Sequence, residues 1–316
     1  MTTAQFDIHP DMVDVIAAKQ AVPHSDDPEA SRAAWNSYGA RLARERPAGM
    51  KVHDITIPRP ASRGGDIPVR IYRPEGVEWP SPCVVYLHGG AFIKGSLDSG
   101  DTVAWSVAEE TGLVVVSVDY RLAPRHPFPA GLEDCYAVVN HLAEHGDAFG
   151  VQGERLALWG DSAGGNLAAA TCLMARDRGG PHITAQALNY PCLTDDLTSD
   201  SYRRYAESPG LRTANMDIAW GHYLRMRRPA RDPLAAPLKA DDLSGLPPAH
   251  IHYAEIDPLA DDARRYAEKL IAADNEVVLR CARRMIHGFL RARFSGAAAA
   301  AEFSHPCRFL RTRLSA

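Results

Sequence analysis

The chain has no apolar run long enough to cross a membrane. Its most apolar stretch, Leu113 to Val118, spans six residues and contains Ser117, whereas a spanning helix needs about 20. It has no basic stripe either. Its 35 Lys and Arg against 39 Asp and Glu leave a net charge of −4, which is a poor basis for binding nucleic acid. The N-terminus has no basic segment followed by an apolar one, which predicts a cytoplasmic protein without a signal peptide. No two of the six cysteines lie closer than 20 residues. That excludes a CxxC pair and zinc-ligand spacing, and predicts reduced, mostly buried thiols. The phosphate-cradling patterns GxGxxG and GxxxxGKS/T are absent.

What remains is an ordinary globular composition, 46% apolar and 23% charged over 316 residues. A chain of this length buries about 75% of its unfolded surface and needs no disulfide or metal staple. It has room for one large domain or two ordinary ones.

Hydrophobic periodicity divides the chain. Two helical patterns, Asp11 to Ala21 and Ala30 to Arg46, are punctuated by Pro23, Pro28 and Pro47. Alternating runs at Val52–Ile57 and Ile67–Tyr72 predict an antiparallel edge pair, joined by a loop containing Gly64 and Gly65. Short apolar strands then alternate with helices. The strands are expected at Cys83–Leu87, Leu113–Val118, Leu156–Trp159, Ile183–Tyr190, His250–Ala254 and Val277–Arg280. The helices are expected at Thr102–Thr111, Gly131–His145, Ala163–Arg178 and Asp261–Ala273, with a helical segment from Gly288 onward. This alternation predicts an α/β fold with a mostly parallel eight-stranded sheet and helices on both faces. The sixty residues between Tyr190 and His250 interrupt it and predict an insertion with its own helix, Ala214 to Leu224.

Chemistry concentrates at the carboxyl ends of the predicted strands, where open α/β sheets bind ligands. Gly160-Asp161-Ser162-Ala163-Gly164 lies between a strand and a helix. A serine in that tight turn is pushed above the sheet, over a helix N-terminus that favours negative charge. The pentapeptide arises by chance in roughly one such chain in ten, so its context decides; the bland alternative is a glycine-rich strand–helix turn. His88-Gly89-Gly90-Ala91-Phe92 follows another strand, and consecutive glycines let backbone N–H groups converge on a developing oxyanion. Asp257, followed by Pro258, ends a strand, and His287 follows the last one. Serine hydrolases of this layout place acid and histidine after the nucleophile in that order. Asp257 could instead cap the next helix, a role that Asp261 or Asp262 fills equally well. His250 and His252 fall within a strand and His305 within the terminal helix, as packing or surface residues.

Taken together, His88-Gly89-Gly90-Ala91, Gly160-Asp161-Ser162-Ala163-Gly164-Gly165, Asp257-Pro258-Leu259 and His287-Gly288-Phe289 resemble the hormone-sensitive-lipase-like (bacterial family IV) esterases of the α/β-hydrolase fold. Asp119 to Pro124, His126 to Ala130, Asp134 and Leu243 to Pro248 agree with that family. The chain departs from it at Ala91, usually glycine, at Arg125, usually glutamate, and at Ala282 to Met285, where Pro-Gly is common.

The resemblance implies a carboxylic ester hydrolase acting on short- to medium-chain acyl esters through an acyl-enzyme. Ser162 would be the nucleophile, His287 the base and Asp257 its orienting acid. Gly89, Gly90 and Ala163 would supply oxyanion N–H groups, with Ala91 a further donor. It implies neither metal nor organic cofactor, and a small-molecule ester as partner. It also implies a cap built from residues 1–50 and 195–235 over a catalytic core of residues 51–194 and 236–316. Trp35, Phe92, Met216 and Trp220 are candidate pocket residues beneath that cap, with ordinary cap–core packing as the alternative. The terminal helix offers a surface for a homodimer. Two other functions fit the same motifs: a non-catalytic ligand-binding protein on this scaffold, and an amide or carbamate hydrolase with the same triad.

Overall fold

The computed structural model describes residues 6–23, 25, 27–59 and 64–315. The first five residues of the expected N-terminal cap, residues 24 and 26 within it, and residues 60–63 of the loop between the first two strands lie outside the described residues.

In chain order the elements are α1 (Val13–Gln20), α2 (Pro28–Arg41), β1 (Lys51–Pro58), β2 (Asp66–Arg73), β3 (Ser81–Leu87), α3 (Leu97–Thr111), β4 (Val114–Val118), α4 (Ala130–His145), β5 (Val151–Asp161), α5 (Ala163–Asp177), β6 (Ala185–Asn189), α6 (Asp200–Arg204), α7 (Thr213–Tyr223), β7 (Ala249–Ile256), α8 (Ala260–Ala272), β8 (Val277–Ile286) and α9 (Ala297–Ser315). They form one eight-stranded sheet in the order β1-β2-β4-β3-β5-β6-β7-β8. β1 and β2 are antiparallel, and β2 meets β4 antiparallel. The remaining pairs are parallel. The expected mostly parallel sheet with an antiparallel edge is therefore what forms.

The central strands alternate between two cores, as a period of two requires. Val85, Leu87, Val116 and Leu158 face one core, with Val138 and Leu142 of α4 and Leu167 and Leu173 of α5. Val84, Tyr86, Val115 and Trp159 face the other, with Val103 and Val107 of α3 and Phe303, Cys307, Leu310 and Leu314 of α9. Each fully buried Leu or Phe in such a stripe stabilises the fold by about 1.5–3 kcal/mol. α1, α2 and the residues flanking them add Met12, Val15, Tyr38 and Leu42 to the second core, whereas α7 adds Met216, Trp220 and Tyr223 to the first.

Several boundaries differ from the sequence reading for local reasons. α3 starts at Leu97 rather than Thr102, because Ser96 and Ser99 form a reciprocal cap. The Ser96 hydroxyl accepts from the Ser99 N–H at 3.2 Å, and the Ser99 hydroxyl from the Ser96 N–H at 2.9 Å. β8 continues six residues beyond Arg280. Its pairing with β7 becomes irregular between Ala254 and Ile256. Arg284 takes a positive φ of 58° there, and its N–H donates to the Glu255 carboxylate at 2.7 Å. α2 stops at Arg41, and the insertion holds a second short helix, α6, beside α7.

One polar anchor is fully buried. Asp134 of α4 accepts from the Arg59 Nε at 2.8 Å and from the Arg121 N, Nε and Nη2 at 3.0, 2.8 and 2.9 Å. It ties the segment after β4 and the segment after β1 to α4. The cysteines are free thiols, buried except for the half-buried Cys281. Among the described residues no helix is long and apolar enough to cross a membrane.

Candidate active site

The turn between β5 and α5 holds Ser162 at φ 57°, ψ −119°. A non-glycine residue at such a φ costs roughly 1–3 kcal/mol and persists only where its surroundings impose it. Here they do. A Cβ on Gly160 would lie 2.1 Å from the Gly164 carbonyl oxygen, and one on Gly164 would lie 1.9 Å from the Leu87 carbonyl oxygen. Only glycines let the turn close this tightly against β3. The Ser162 N–H donates to the Asn189 carbonyl at 2.9 Å, which pins the turn to β6.

His287 follows β8 and enters from the far side. Its Nε2 lies 2.9 Å from Ser162 Oγ, and its Nδ1 lies 2.7 Å from Asp257 Oδ2. A carboxylate can only accept, so Nδ1 carries the proton and Nε2 is left to accept from the serine hydroxyl. Asp257 is fully buried, and its other oxygen accepts from the Leu259 N–H at 3.0 Å. The Tyr190 ring packs 4.7 Å from the imidazole. The arrangement can therefore draw the proton from Ser162 and hold the resulting imidazolium beside a fixed negative charge.

The neighbouring acids do other work. Asp261 accepts from the Ser201 N–H and pairs with Arg264. Asp262 accepts from the Leu193 and Thr194 N–H groups at 2.8 and 3.2 Å. Neither caps α8, whose N-cap residue Leu259 makes no side-chain cap bond; the expected capping role is corrected accordingly. Burial pushes the Asp262 carboxyl up to about 8, against the pull of those two N–H groups. The unfolded chain loses this proton near pH 3.9. Between about pH 4 and pH 8 the folded state thus holds a proton that the unfolded state has released, and stability falls as pH rises through that window. Asp262→Asn keeps the accepting oxygen and is expected to flatten the fall. Urea unfolding at about pH 5 and about pH 8 measures it; an unchanged slope would refute the assignment.

The glycine turn after β3 lies against the same serine. Gly90 sits at φ 150° and Ala91 at φ 54°, the left-handed region where the usual glycine would carry no strain. Ile93 and Lys94 donate back to the Gly90 carbonyl at 3.1 and 3.0 Å. His88 anchors the turn from below. Its ring stacks on Tyr120, whose hydroxyl donates to the His88 carbonyl at 2.6 Å. Burial pushes the His88 imidazole down to about 4, so it stays neutral. Among the described residues the N–H groups of Gly90, Ala91 and Ala163 have no protein acceptor. The Gly89 N–H lies beside a carboxyl. It bears on the Asp161 carboxyl, which burial pushes up while Arg291, the Tyr86 hydroxyl and the Gly89 N–H pull it down. Gly89 lies tight against that carboxyl: a Cβ there would come within 2.4 Å of the Asp161 Oδ2.

Above Ser162 lies a cavity of about 220 Å³ lined by residues of α1, α2, α7 and the glycine turn. Trp35 is among its lining residues. Phe92, Met216 and Trp220 are not. All three are buried behind the wall, Phe92 stacking on Tyr223 at 3.9 Å and meeting Trp220 at 5.1 Å. For these three, cap–core packing is the correct reading.

Several lining residues carried no motif: Lys19, Lys94, Tyr190, Gly210 and Arg291. Arg291 donates to the Ser99 carbonyl at 2.9 Å and lies 5.2 and 5.3 Å from the Trp35 and Tyr38 rings. Its place just beyond His287 was the one available signal.

Residues 84–291 match the family described as alpha/beta hydrolase fold. The chain is 41% identical over 303 residues to the carboxylic ester hydrolase LipN of Mycobacterium tuberculosis, covering 92% of this chain and 77% of that protein. It is 43% identical to the carboxylesterase NlhH of the same organism, over 71% of this chain and 72% of that one. Among solved structures, an esterase of Pyrobaculum calidifontis superposes with a TM-score of 0.87 at 36% identity, covering 96% of this chain and 98% of that one.

Proposed function

We propose, since the chain belongs to the alpha/beta hydrolase fold family and is a serine carboxylic ester hydrolase, that Ser162, His287 and Asp257 carry its chemistry. The observation that supports this is the unbroken hydrogen-bond chain from Ser162 Oγ through His287 to Asp257.

Ser162 attacks the ester carbonyl as His287 takes its proton, and His287 then returns that proton to the leaving alcohol. Asp257 holds the imidazole in the required tautomer. The unengaged N–H groups of Gly90, Ala91 and Ala163 are the oxyanion donors. Water activated by His287 then cleaves the acyl-enzyme.

We place the chain within the hormone-sensitive-lipase-like esterases, as a cytoplasmic enzyme. The glycine turn, the elbow and the residues lining the cavity from α1, α2 and α7 support that placement. Residues 1–50 and 195–235 act as its cap, and α9 is the candidate surface for a homodimer.

A cavity of finite volume sets an acyl-length optimum. Each added CH₂ contributes about 0.8 kcal/mol while room remains, and overpacking costs about 1–3 kcal/mol beyond that. With p-nitrophenyl esters, kcat/KM is expected to peak at about two to eight acyl carbons. Efficient hydrolysis of sixteen-carbon esters would overturn the capped-cavity reading, and an organophosphate labelling a serine other than Ser162 would overturn the nucleophile.

A further inference from the structure

Two lysines line the cavity above Ser162, one from α1 and one from the glycine turn. Lys19 stands on the last turn of α1, and its ammonium donates to the Gly210 carbonyl. Gly210 packs directly on the catalytic histidine: a Cβ there would lie 2.7 Å from the His287 N and 2.8 Å from its carbonyl oxygen. Lys94 closes the glycine turn, its N–H donating to the Gly90 carbonyl at 3.0 Å. Its ammonium lies 4.9 Å from the Trp35 ring. One cation is thus tethered beside the base, and the other stands on the turn that carries the oxyanion donors.

Elsewhere several half-buried cations meet carboxylates, while Lys269 and Arg73 donate to backbone carbonyls. Lys239 meets Asp195, Arg280 meets Glu302, and Arg59 and Arg121 share Asp134. Among the described residues Lys19 and Lys94 have no such partner. Lys19 uses one of its three N–H groups on a neutral carbonyl, and Lys94 has only an aromatic face. Burial, and then the Lys94 charge, push Lys19 down to about 7 against the pull of the Asp257 carboxylate, while burial lowers Lys94 as well. Tying α1 to the Gly210 segment explains a single hydrogen bond. It does not explain two lysines lining one cavity without a direct ion pair to either of the nearby carboxylates, Asp161 and Asp257.

We propose that the site is built for esters that carry a carboxylate, with Lys19 and Lys94 supplying the counter-charge; this rests on the esterase assignment above. The carboxylate can belong to the acyl part or to the alcohol part, and two substrate pairs separate these sources. Monomethyl glutarate is compared with methyl 5-methylhexanoate, in which an isopropyl group replaces the acyl-side carboxylate. The acetate ester of 4-hydroxybutanoate is compared with 4-methylpentyl acetate on the alcohol side. p-Nitrophenyl butyrate reports ester hydrolysis independently of charge.

For the wild-type enzyme, kcat/KM is expected to favour the charged member of at least one pair by about 10- to 100-fold, the size of a charge-assisted hydrogen bond. Lys19→Met and Lys94→Met should each bring that ratio toward one, and Lys→Arg should restore it. Because the readout is a ratio, a general loss of activity in a variant does not mimic the result. Ratios at or below one for both pairs in the wild type, with p-nitrophenyl butyrate still hydrolysed, would overturn the carboxylate preference alone. A ratio unchanged in both methionine variants would overturn the role of the lysines. Absence of turnover on every ester, p-nitrophenyl butyrate included, would overturn the esterase assignment as well.

Discussion

Ser162→Ala and His287→Ala are each expected to lower kcat by about 10⁴- to 10⁶-fold while leaving the thermal unfolding profile intact. Nucleophile and base act as a unit, so losing either removes nearly all that the pair supplies. Asp257→Asn should cost about 10⁴-fold, because an amide stabilises the wrong imidazole tautomer. Asp261→Asn and Asp262→Asn should stay active, since these carboxyls bind Ser201 and Arg264 in one case and the Leu193 and Thr194 N–H groups in the other. Initial rates on a p-nitrophenyl ester, with circular dichroism as the folding control, settle all five variants. An inactive but folded Asp261→Asn beside an active Asp257→Asn would falsify the assignment of the acid.

Asp134→Ala is expected to show the largest stability loss of any single polar change proposed here, about 3–5 kcal/mol in urea unfolding. The carboxylate is fully buried, and two guanidinium groups converge on it. Removing it leaves two partly buried cations without a counter-charge and frees the Arg121 N–H that it holds at 3.0 Å. Asp134→Asn keeps the volume and an acceptor and should lose less. A change within about 0.5 kcal/mol, the range of ordinary surface substitutions, would mean that these arginines find water or other partners without strain.

The parts of the site visible in the sequence are those where backbone sterics dictate residue type. Gly160 and Gly164 were legible because nothing larger fits between the elbow and its neighbours. Asp257 and His287 were legible because each ends or follows a parallel strand, and all such ends share one edge of the sheet. Side chains whose role depends on tertiary packing were not. Phe92, Met216 and Trp220 read as pocket residues by position, yet they turn into the core. Lys19 reads only as part of a helical pattern, and the fold alone shows that it meets His287 through Gly210. The start of α3 was hidden because Ser96 and Ser99 look like loop residues until their reciprocal bonds are seen. The end of β8 was hidden because Arg283 and Arg284 mask an edge strand.

The cavity draws its walls from helices that are rooted in opposite cores. α1 and α2 are anchored in the layer with α3 and α9, and α7 in the layer with α4 and α5. Neither layer alone encloses the substrate. Turnover therefore acts as a coincidence detector for the native state, since it needs both sides of the sheet to be packed at once. Loosening either layer should open the chamber before the sheet itself is lost, so on heating activity is expected to disappear before the secondary structure seen by circular dichroism.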